Sequence, residues 1–213
     1  MRHTDNRKAR MSWIMKEEFY TEKRWLNWMN KVKDSNFRLS EAEDKNSGAV
    51  FIYIMDDVVL ACLKVIARVE REILTPEEAI AEIAAIRSIV FAEHESLGED
   101  ADLMIESLKT SLAAVFVSSQ RYITGSFDRE SSMDELIAAA IEAEKKENLD
   151  LAFDLLSQVG ARVIGGDSLP ETGDIPYCMT AELMDGIDAI SAAMLGDDSY
   201  KDDDGSEDAG EGE

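Results

Sequence analysis

The chain has 213 residues, and 45% of them are hydrophobic, enough to build a core and to exclude wholesale disorder. Its formal net charge of −23 repels nucleic acid and anionic membrane surfaces, which leaves basic protein surfaces as the natural electrostatic partners. The longest apolar run, Ala49 to Val69, carries Asp56, Asp57, Lys64 and Arg68, which excludes a typical membrane span.

Residues 1–14 form a basic arm with Arg2, Arg7, Lys8 and Arg10. It is expected to be flexible. Met11 and Met15 are alternative starts, and no signal-peptide core or cleavage site is present. From Met15 to Gly196 the pattern predicts a single all-α domain, a bundle of about seven helices. Thr21 caps the first, with Trp25, Trp28, Met29 and Val32 on one face. A polar connection leads to a second helix from about Ala49 to Ile73. Thr75, Pro76 and Glu78 form a capping box for the third, which continues through Ile80, Ile83, Ile86 and Val90.

Gly98 breaks the chain. A fourth helix follows over roughly Asp100 to Ile123, and Gly125 closes it. Ser132 and Glu135 open the fifth, and Asn148 separates it from the sixth, which ends near Gly165 and Gly166. Together these two resemble a tetratricopeptide-type hairpin, but one hairpin is not a solenoid. "GARVIGG" is the best strand candidate and continues a helical pattern instead. Thr180 is the expected cap of a seventh helix carrying Leu183, Met184, Ile187, Ile190 and Met194, with Gly196 at its end. Residues 197–213 are acidic, with Tyr200 their only large apolar side chain, and are expected to form a disordered tail.

The adjacent pair Asp56 and Asp57 interrupts the second helix. Each residue turns a helix by about 100°, so the pair cannot easily converge on one metal ion. On the wheel, Phe51, Ile54, Val58, Cys62, Val65 and Val69 make the main apolar face. Asp57 falls in line with Lys64 and Arg68 and is expected to be solvated. Asp56 falls among Ile52, Leu60, Leu63 and Ala67, where a second packed element would require donors or a cation for its carboxylate. The stretch "SLKTS", with Lys109 at its centre, and the indoles of Trp25 and Trp28 are the candidate donors. Both tryptophans read first as core residues and second as exposed anchors for a partner.

Other chemistry is sparse. His3 and His94 are the only histidines, and His94 lacks the partners of the zincin and di-iron motifs. Cys62 and Cys178 form no C-x-x-C pattern. There is no G-x-S-x-G, no Walker A sequence and no G-x-G-x-x-G. The acidic tail lacks the closing glutamate of a calcium loop. No catalytic, cofactor or metal residues are expected.

Four stretches, "EEFYTEKRWLNWMNKV", "DDVVLACLKVI", "SLKTSLAAVF" and "AAAIEAEKKENLDLAF", resemble the archaeal family known as domain of unknown function 2150, in order and spacing. The resemblance spans roughly Glu17 to Leu195. It implies an archaeal, cytosolic protein with Met15 or Met11 as its start. It transfers no functional residues. The leading expectation is a non-enzymatic, cytoplasmic adaptor that binds a basic protein or ribonucleoprotein. The alternatives are an enzyme or ligand-binding protein with a carboxylate-lined cavity at Asp56, and an acidic nucleic-acid mimic. The acidity also suits adaptation to a salty cytosol.

Overall fold

A computed structural model describes residues 18–41, 48–171 and 178–196. Among them are seven α-helices and no strand: α1 Glu22–Ser35, α2 Ala49–Glu70, α3 Pro76–Val90, α4 Glu99–Thr124, α5 Met133–Lys145, α6 Leu149–Ile164 and α7 Met179–Leu195. The basic arm and the acidic stretch after Gly196 lie outside the described residues.

The local signals act at most helix ends. Thr21 accepts from the Arg24 amide at 3.1 Å and starts α1. Thr75 and Glu78 complete a reciprocal capping box at α3, and Ser132 with Glu135 does the same at α5. Gly125 takes a left-handed φ of 67° to end α4, a conformation that costs glycine little. "GARVIGG" is the end of α6 and the turn after it.

Two boundaries differ from expectation. The second helix stops at Glu70 rather than Ile73. Glu72 turns to φ 58°, and the Ile73 and Leu74 amides bond back to the Arg68 carbonyl at 2.8 and 3.1 Å. This satisfies the open carbonyl end and closes the helix. Thr180 does not cap α7. It lies inside the helix with its hydroxyl buried, and the Cys178 side chain at the cap position does not bond the helix amides. Glu144 of α5 caps α7 from outside: its carboxylate oxygens accept from the Met179 and Thr180 amides, both at 2.9 Å.

The expected stripes form the core. Trp25, Met29 and Val32 of α1, Ile83, Ile86 and Val90 of α3, and Leu183, Ile187 and Ile190 of α7 are buried. α4 is central and packs against α2, α3, α6 and α7. Two glycines permit its closest approaches. A Cβ at Gly160 of α6 would stand 2.8 Å from Ser118 Cβ, and a Cβ at Gly186 of α7 would overlap the Ser111 carbonyl. The second contact fixes the α7 backbone directly on α4, which positions the surface described next.

Candidate functional site

Asp56 and Asp57 share α2 but meet different neighbours. Asp57 flanks the buried face, where α1 packs, and its side chain is 13% exposed. Arg24 Nε donates to Asp57 Oδ2 at 2.9 Å, Arg24 Nη2 donates to Oδ1, and Trp28 Nε1 donates to Oδ2 at 2.6 Å. This two-pronged guanidinium contact is a strong form of carboxylate recognition. It raises the Arg24 pKa against the opposing effect of burial. Tyr20 lies beside the pair with Arg24 over its ring, 5.3 Å from the centroid. The Tyr20 hydroxyl is buried beside the Asp57 carboxylate. Burial first, and the Asp57 charge second, push its pKa up.

The expectation for the pair is therefore reversed. Asp57 is the packed, hydrogen-bonded carboxylate, and Asp56 is exposed. The wheel of α2 alone could not register α1, which brings Arg24 and Trp28 to the edge of the main face. Nor does a helix cover the opposite face along its whole length. Leu63 and Ala67 there are buried, but Ile52 is 62% exposed. Lys109 does not meet Asp56 either. It is buried on α4 and its Nζ donates to Glu106 Oε1 at 3.3 Å. Trp25 is a core residue, whereas Trp28 is half-buried with Lys31 Nζ 4.0 Å above its ring.

Asp56 instead lies on a groove of about 480 Å³ between α2, α4 and α7. Phe51, Met55, Met104, Leu108, Ala189 and Ala192 give it apolar walls, and Asp56, Asp185 and Asp188 carry its charge. A second depression of about 520 Å³, between α7 and Leu169 to Glu171, shares Asp185 and Asp188. The two aspartates thus form a ridge with a groove on either side. Among the described residues no cationic side chain lines either groove. Burial raises the Asp56 pKa. At Asp185, burial first and then the charges of Asp188 and Glu182 raise it.

The sequence reading did not single out Asp185 and Asp188. Their spacing on one helix face, followed by Ala189 and Ala192, was visible in "MDGIDAISAAM". What was not visible is that α7 sets them opposite Asp56.

Two other depressions are less one-sided. The larger, about 730 Å³ between α1 and α3, mixes Lys23 and Lys33 with Glu22, Glu93 and Glu95 around Trp25. The other holds Arg129 and Arg162 beside Tyr122 and Phe127. There Asp167 accepts from Arg162 Nε at 2.7 Å, so the arginine charge is partly offset within the chain. Cys62 and Cys178 are free, and burial pushes the Cys62 thiol up to about 12, the opposite of an activated nucleophile. Among the described residues no three His, Cys, Asp or Glu side chains are placed to hold a metal ion. No helix among them is long and apolar enough to cross a membrane.

Residues 18–203 match the family model described as "Uncharacterized protein conserved in archaea (DUF2150)". The chain belongs to this family. No curated protein and no solved structure matches it. The match to DUF2150 covers every described residue, so the acidic-rimmed groove is built wholly from the family's own segment.

Proposed function

We propose that this DUF2150 protein is a non-enzymatic, cytoplasmic interaction module that takes up a basic amphipathic helix of a protein partner in the groove between α2, α4 and α7. The observation that carries the reading is the pairing of apolar walls with a rim whose charged side chains, among the described residues, are all carboxylates. An amphipathic helix laid in such a groove buries its apolar face against Met55, Met104 and Leu108. Flexible methionines adapt well to varied helix surfaces. Lysines or arginines on its flanks meet Asp56, Asp185 and Asp188. Apolar burial, at roughly 25 cal/mol per Å², supplies the affinity. Each exposed charge pair adds about 0.2–1 kcal/mol and mainly sets orientation and association rate.

The enzyme reading draws on one observation, the raised pKa values of Asp56 and Asp185, since perturbed carboxylates also mark acid–base sites. Their causes, burial at both and the charges of Asp188 and Glu182 at Asp185, serve cation docking equally well. Among the described lining residues that reading also lacks a histidine or cysteine to pair with a carboxylate.

The test is calorimetric titration of the full chain with a designed helix of leucine on one face and lysine on the other. Two controls accompany it: the same residues scrambled, and glutamate in place of lysine. Binding of the first peptide alone, weakened by salt and lost in Asp185→Lys/Asp188→Lys, supports the reading. Equal binding of all three peptides, or of none, overturns it.

A further inference from the structure

The groove between α1 and α3 calls for a different occupant. We propose that it is a self-association surface: α1 of a second copy of the chain lies along it, and α1 of the first copy lies in the same groove of the second.

Three observations support this. The first is that α1 is an edge helix. It packs mainly on α2 and α3, and Trp25, Met29 and Val32 are its buried side chains. On its open side Leu26 is 59% exposed. Leu26 lines the groove of about 730 Å³ together with Trp25, Met29, Ile89 and Leu97. An exposed leucine beside an apolar floor gains free energy when it is covered.

The second is charge. On α1, Lys23, Arg24, Lys31 and Lys33 outnumber Glu22 and Asp34, in a chain whose formal net charge is −23. Across the groove, the segment between α3 and α4 carries Glu93 and Glu95 and no lysine or arginine. Among the described residues the side chains of Lys23, Lys33, Glu93 and Glu95 form no hydrogen bond or ion pair. The two walls therefore differ in sign, unlike the acidic groove at Asp56. What fits is a basic helix with an apolar edge that meets Glu93 and Glu95. α1 of another copy is such a helix.

The third is symmetry. A two-fold axis along the groove sets the α1 wall of each copy against the α3 wall of the other. Lysines then face glutamates in both halves of the contact, and Leu26 of each copy enters the other's groove. An axis across the groove would set lysine against lysine. The favoured contact is isologous, so association closes at the dimer. Two chains of this charge repel at long range. At an ionic strength of about 0.15 M the Debye length is about 8 Å, so distant charges are screened while pairs in contact still act.

Sedimentation equilibrium of the full chain at that ionic strength tests this. A monomer–dimer equilibrium is expected. Leu26→Glu, at an exposed position, should weaken it at least about tenfold, because the change occurs twice in a two-fold contact. Lys23→Glu/Lys33→Glu and Glu93→Lys/Glu95→Lys should each weaken it as well. Mixed in equal amounts, these two charge variants should dimerise with each other, which a misfolded variant cannot do. A parent that stays monomeric up to about 1 mM overturns the proposal. So does a dimer untouched by Leu26→Glu, or a pair of charge variants that fails to recover on mixing. None of these residues lines the α2–α4–α7 groove, so a monomer that still binds the leucine–lysine helix overturns self-association alone.

Discussion

The two adjacent aspartates of α2 make the most instructive contrast in the molecule. Asp57 is held by Arg24 and Trp28 and joins α1 to α2. Asp56, one residue earlier, has no hydrogen bond or ion pair among the described residues and faces an acidic groove. The difference arises outside the helix that carries them. α1 brings donors to one side, and α7 brings more carboxylates to the other. A buried polar group must be paired, and that rule holds at Asp57. At Asp56 the absence of donors among the described residues goes with exposure, and the partial burial that remains raises its pKa.

The largest effect is expected where α7, the acidic wall, meets α4. A side chain at Gly186 runs into the Ser111 carbonyl, which is backbone and cannot turn aside. Gly186→Val should cost at least about 3 kcal/mol, the upper part of the overpacking range, and should push α7 off the groove. Urea unfolding measures it. A loss below about 1 kcal/mol would mean that the two helices can separate cheaply.

Next comes Asp57→Ala. It strips Trp28 Nε1 and Arg24 of their acceptor, and should cost about 1–3 kcal/mol. Arg24→Ala in the same background should add little, because the two residues act together. Additive losses would show that the contact is not a unit.

A smaller effect is expected at Glu144. Burial raises its carboxyl pKa, but the hydrogen bonds it accepts at the start of α7 outweigh this and leave the value lowered. A lowered carboxyl pKa stabilises the fold above the unfolded value, near 4.5, and that contribution is lost as pH falls through the folded value. Glu144→Ala should cost about 1 kcal/mol at neutral pH, as for loss of a helix cap, and the deficit should shrink in acid. A deficit independent of pH would assign Glu144 a packing role only. Smallest of all is Asp56→Ala, expected to change stability by less than about 0.5 kcal/mol, as for surface positions without partners.

The helices were legible because their signals are local. Thr75 with Glu78, and Ser132 with Glu135, specify their own helix starts within four residues. The stripes of Ile83, Ile86 and Val90 or Leu183, Ile187 and Ile190 depend only on helical spacing. The site was less legible because it is built between elements. Nothing near Asp57 in sequence announces Trp28 as its donor. The carboxylate that caps α7 comes from α5, so Thr180 looked like the cap. The α7 ridge of Asp185 and Asp188 could be read as a pattern, but its position opposite Asp56 follows from the Gly186 contact with α4.

The most direct test of the contrast is to measure binding and stability on one variant, Asp56→Lys/Asp185→Lys, with the leucine–lysine helix as probe. These residues sit on the rim, and among the described residues no hydrogen bond or ion pair of theirs joins the helices. The account predicts at least about a tenfold loss of affinity, the equivalent of 1.4 kcal/mol, with an unchanged unfolding midpoint. Unchanged affinity would contradict it. So would a fall in stability as large as that of Asp57→Ala, since Asp56 and Asp185 would then belong to the scaffold rather than to a docking surface.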